Sequence, residues 1–183
     1  MADKKHEMAC REASKDNAVL QKLAHLPRHM LHHYDQVELA PLVLHTLGHN
    51  LGLKRASYLV DNPDFDCIKG VAGYCHRECD YHKSDLWSDP HAFSQDMEQA
   101  PFHRKMRCYM HTSMKQRHDD YVRSLAALGK ELGIENPDVR VWDLRHDNHG
   151  ILIFEKNDAC PCKEEREMID SAIALLGLCP LRV

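Results

Sequence analysis

From Lys54 to Asp89 the chain abandons helical periodicity, and this stretch limits what the whole sequence can become. Apart from one short apolar piece, Tyr58-Leu59-Val60, it is punctuated by the turn formers Asn62-Pro63, Gly70 and Gly73. About 35 residues without regular structure are uncommon in a compact domain, and usually signal function, disorder or an external staple. A staple is available in Cys67, Cys75, Cys79 and His82, spaced C-x7-C-x3-C-x2-H. Three thiolates and an imidazole complete a tetrahedral zinc shell, and a loop with little core of its own gains folding energy from one. The three cysteines alone would also suit an iron-sulfur cluster. The plain alternative is that the thiols are reduced and partly buried, acting as small apolar groups.

Over this short stretch the spacing resembles the Cys3His zinc fingers, although the intervals differ from that family's usual ones, so no RNA-binding role is carried over. A second histidine set lies just upstream. Asp35-Gln36-Val37-Glu38 forms a capping-box pattern, which predicts a helix to about Asn50 that stops at Gly52. Val37, Ala40, Val43, Leu44, Leu47 and Leu51 share one arc of it and should face the core. Glu38, Leu42, His45 and His49 lie opposite, where two imidazoles one turn apart can share a metal if that side faces a cleft, or simply meet solvent. Leu44 to Leu53 resembles the zinc helix of the metzincin peptidases through His45, His49 and Gly52. The family's catalytic glutamate falls on Thr46 and its third histidine on Arg55, so peptidase activity does not follow.

The remaining pattern is mostly helical. Helices are expected from Asp16 or Asn17 to about Leu26, from Pro27 to Tyr34, from Asp89-Pro90, and, after Pro101, to Leu132. The last of these carries Met106, Met110, Met114, Tyr121, Leu125, Leu128 and Leu132 in one stripe, which core packing explains better than copper, and Gly133 ends it. Two β-rich runs, Val139 to Trp142 and Ile151 to Phe154, flank a turn at His146 to Gly150 and predict a hairpin. A final amphipathic helix from about Pro161 turns Ile169, Ala172, Ile173 and Leu176 inward. The expected fold is therefore α+β: a disordered tail over 1–15, then a mainly helical single domain over 16–183 with one C-terminal β-hairpin and an irregular Cys/His-rich segment.

Composition bears on function chiefly by exclusion. A formal charge of −4 gives no reason to expect nucleic acid as a partner. The polar amino terminus is no signal peptide, and no apolar run approaches the roughly 20 residues that span a bilayer, so a cytoplasmic protein off the membrane is expected. In a reducing compartment, eight cysteines and fifteen histidines favour metal over disulfides. The leading expectation is a zinc- or iron-binding protein using Cys67, Cys75, Cys79 and His82, with His45 and His49 as a second set. The alternatives are a metal-free helical interaction or regulatory protein, with a protein partner or a second copy, and a thiol oxidoreductase. The last would use Cys160 and Cys162, which flank Pro161 at a helix start whose dipole lowers a thiol's pKa. His146, Asp147 and His149 at the hairpin tip are of metal-binding or catalytic type, but turns favour such residues for backbone reasons too.

Overall fold

The structure is a computed structural model, and it describes residues 39–78, 97–114, 118–155 and 163–178. The expected tail and the helices before residue 35 lie outside these. The described elements are α1 (Leu39–Leu51), β1 (Arg55–Asn62), β2 (Cys67–Cys75), α2 (Pro101–Arg107), β3 (Met110–Thr112), α3 (His118–Glu131), β4 (Pro137–Asp143), β5 (His149–Glu155) and α4 (Lys163–Gly177). The strands form one antiparallel sheet in the order β3-β2-β1-β5-β4. The mainly helical fold with a single hairpin is thus corrected: the β4–β5 hairpin exists, but it supplies two strands of five.

The correction falls on the segment expected to be irregular. Residues 55–75 form a second hairpin, β1–β2, turned by a 3-10 helix at Pro63–Phe65. The Asn62 side chain accepts the N–H groups of Asp64 and Phe65, and Asp66 closes the turn in the left-handed region. Gly70 and Gly73 are not turn residues. They sit inside β2 because α2 crosses it at backbone distance: a Cβ on Gly70 would lie 1.9 Å from the Met106 carbonyl oxygen. The expected long helix is likewise divided, with α2 ending before β3 and α3 starting at His118. Met106 is buried, whereas Met110 stands 69% exposed on the edge strand, so the methionines form no single stripe.

Helices cover both faces of the sheet. On one face α1 and α4 pack over Ala56, Tyr58, Val60, Ala72, Tyr74, Leu152 and Phe154. On the other α2 and α3 pack over Leu59, Ile68, Cys75, Ile151 and Ile153. The alternation along β1 and β5 produces this division, since successive side chains of a strand point to opposite faces. Tyr121, Leu125, Leu128 and Leu132 of the α3 region turn inward as the sequence pattern requires, and Gly133 ends it at φ 87°. None of the described helices is long and apolar enough to cross a membrane.

Candidate functional site

Strand β2 separates two of the expected metal ligands. Cys67 and Cys75 are its first and last residues, eight steps apart, so at about 3.3 Å per residue they stand roughly 26 Å from each other. One metal ion cannot bind both. Cys79 and His82 lie outside the described residues, as do Cys160 and Cys162. His45 is not on an open face: it is 3% exposed, with its ring edge-on to Tyr74 at 5.5 Å between centroids. His49, exposed, stacks on it at 6.2 Å. The pair does come together. Among the described residues no group of three or more His, Cys, Asp or Glu side chains is placed to hold a metal ion. The zinc, iron and iron-sulfur expectations, and with them a metal-binding function, are corrected accordingly.

The polar chemistry gathers elsewhere, at one end of the α2/α3 face. Asp61 near the end of β1 pairs across the ladder with His149 at the start of β5, and His149 pairs with Asp143 at the end of β4. Residues directly opposite in antiparallel strands project to the same face with Cβ atoms about 4.5–5.5 Å apart, so the register alone makes a row of three ionisable groups. Tyr121, in the first turn of α3, leans over this row. Its hydroxyl donates to Asp61 Oδ2 at 2.7 Å, and its ring meets that of His149 edge-on at 6.4 Å. Asp61 is fully buried and Tyr121 nearly so. Burial first, then the hydrogen bond and the charge of Asp61, push the Tyr121 phenol above its ordinary value of 10, so it remains a donor at physiological pH.

His149 connects this buried pair to the surface. Its Nδ1 lies 3.0 Å from Oδ1 of Asp143, whose side chain is 92% exposed. A carboxylate accepts, so Nδ1 carries the proton, and in the neutral ring Nε2 is left as an acceptor. Asp61 Oδ1 and His149 Nε2 are both buried, and neither has a hydrogen-bond partner among the described residues. In the register of the sheet Ile68 lies opposite Asp61, and Leu59 and Ile151 form the next pair on the same face, all at 0% exposure. The sequence had marked His149 as a turn residue, but the turn itself uses His146 and Asp147, at φ 60° and 54°, as the central pair of a type I′ turn requires. Asp61 and Tyr121 were missed. The available signal was a carboxylate ending the apolar run Tyr58-Leu59-Val60, in phase with Ser57 and Leu59 on a strand buried on both faces.

No protein-family model matches the sequence, and no curated protein sequence matches it. Solved structures do resemble it. One is the phycocyanobilin-bound GAF domain of a cyanobacterial phytochrome, with a TM-score of 0.54 and 10% sequence identity over 89% of this chain and 92% of that one. Another is the phycoerythrobilin-bound GAF domain of a cyanobacterial phytochrome, with a TM-score of 0.47 and 12% identity over 90% and 92% of the two chains. At such identities the likeness to the first is one of architecture, and the five-stranded antiparallel sheet between helices is a GAF-like fold.

Proposed function

We propose that this chain is a ligand-binding domain that takes up a small organic molecule on the α2/α3 face of its sheet, at Asp61, Tyr121 and His149. One observation carries the reading: the Asp61 carboxylate is buried completely, yet only one of its oxygens is hydrogen-bonded by a described residue. An acceptor removed from water without a donor costs on the order of 1–3 kcal/mol, and more when it is charged. A bound partner that supplies the missing donor offsets that cost. The GAF-like architecture supports this, because the phytochrome domain of the same fold holds phycocyanobilin. The identity of this chain's ligand rests on its own side chains and not on that likeness.

The test is a set of several hundred small heterocycles, with phycocyanobilin among them, screened by thermal unfolding and by NMR of the full chain. A ligand at 100 times its Kd is expected to stabilise the fold by about 2.7 kcal/mol. It should also shift the Tyr121 and His149 resonances, and both effects should weaken in Asp61→Asn. If no compound shifts those resonances, or if binding is indifferent to Asp61→Asn, the reading is wrong.

A further inference from the structure

Resting on that reading of the site, we infer that the ligand is a planar heterocycle presenting N–H donors on both nitrogens of an N–C–N unit, as in a 2-aminoimidazole or a protonated cyclic amidine. The two orphaned atoms are of one kind. Asp61 Oδ1 belongs to a carboxylate whose other oxygen is held by Tyr121. In the neutral ring, with the Nδ1 proton donated to Asp143, His149 Nε2 is an acceptor. They project from directly opposite positions of β1 and β5, about 4.5–5.5 Å apart at Cβ, so a ligand meeting one is within reach of the other. A ligand with a single donor would leave the second acceptor buried and unsatisfied. A ligand offering acceptors would place lone pairs against lone pairs.

The surroundings fix the rest of the ligand. In the register of the sheet the apolar, fully buried Leu59, Ile68 and Ile151 flank the two acceptors, and the rings of Tyr121 and His149 stand edge to face. A flat, mostly apolar body with one polar edge matches that environment, whereas a sugar or a phosphate would bring further polar groups against the apolar Leu59, Ile68 and Ile151. A site that hydrogen-bonds a donor edge rejects the analogue lacking it more strongly than an apolar pocket rejects a change of size.

The experiment compares two probes of one shape on the full chain by isothermal titration: 2-aminobenzimidazole, which carries the donor pair, and 2-methylbenzoxazole, which carries no N–H. The first is expected to bind at least tenfold more tightly, and Asp61→Asn and His149→Phe should each remove at least tenfold of its affinity. The comparison on the unaltered protein requires no variant to fold. Equal affinities for the two probes, or no binding of 2-aminobenzimidazole, overturn the donor-pair inference. The ligand-binding reading itself is decided by the wider compound set: it falls if that set also leaves Tyr121 and His149 unperturbed or binds indifferently to Asp61→Asn, so the two failures are told apart.

Discussion

Two carboxylates are buried on the same face of the sheet, one at each end, and the fold treats them differently. Glu155, 3% exposed, closes β5. Its Oε1 is paired with the Lys54 ammonium at 2.9 Å, and its Oε2 accepts the N–H of Glu135 at 3.4 Å. Six residues along the ladder, roughly 20 Å away, Asp61 is more deeply buried and has only the Tyr121 hydroxyl on one oxygen. The Glu155 end is complete within the chain and ties β5 to the turn after α3. Charge burial alone therefore marks no site. What distinguishes Asp61 is the absence of a cation and of a second donor among the described residues.

The comparison can be broken first at Tyr121. Tyr121→Phe removes the one donor and leaves a fully buried carboxylate with none, at an expected cost of about 3 kcal/mol in urea unfolding, toward the upper end for a stranded polar group. A loss below about 1 kcal/mol would mean that Asp61 is hydrated, and its burial would cease to be informative. Next in size is Lys54→Met at the other end. Because the lysine side chain is half exposed, water replaces part of its charge, and a loss of about 2 kcal/mol is expected in place of the 3–5 of a fully buried pair. No loss at all would make the Glu155 end as uncompensated as the Asp61 end.

A third buried polar group on this face sharpens the contrast through pH. His103 of α2 is 2% exposed and accepts the Gly73 N–H at Nδ1, 3.3 Å away. Burial above all, and then the Arg107 charge, hold its pKa below the ordinary 6.5. As pH falls through 6.5 the unfolded chain takes up this proton before the folded one does, so stability declines with acidification below that point and is unaffected above it. The slope from this group is at most about 1.4 kcal/mol per pH unit. His103→Gln, measured by urea midpoints between pH 7.5 and 5.5, is expected to flatten the decline. Parallel slopes for the two proteins would contradict the assignment.

How much of this could be read from residues alone differs between the two hairpins. The β4–β5 hairpin was legible because Val139 to Trp142 and Ile151 to Phe154 are dense in β-formers on both sides of a turn. The β1–β2 hairpin was not, because β2 reads Cys-Ile-Lys-Gly-Val-Ala-Gly-Tyr-Cys. Its two glycines serve the close approach of α2, a tertiary demand that looks locally like a turn signal. The metal-site expectation fails for the same physical reason: residues 67–75 are a strand, and Cys67 and Cys75 are its opposite ends. The Asp61 row could not be found by spacing at all. Asp61, Tyr121 and His149 are 60 and 28 residues apart in turn, and only the antiparallel register brings them together.

The smallest expected change in stability decides most about the site. In the double variant Asp61→Leu, Tyr121→Phe, leucine keeps the branched shape of aspartate while removing both acceptors, and phenylalanine removes the hydroxyl that served one of them. Neither position is then left with a stranded polar atom, and replacing a buried polar pair by apolar groups of similar volume is commonly neutral or stabilising. The urea midpoint should therefore correspond to a change within about 1 kcal/mol of the unaltered protein, in contrast to Tyr121→Phe alone, while 2-aminobenzimidazole binding is lost. That combination, a fold indifferent to the pair and a ligand dependent on it, is what separates a binding group from a structural one. If the double variant instead loses as much stability as the single one, Asp61 and Tyr121 hold the sheet together much as Glu155 and Lys54 do, and the difference between the two ends disappears.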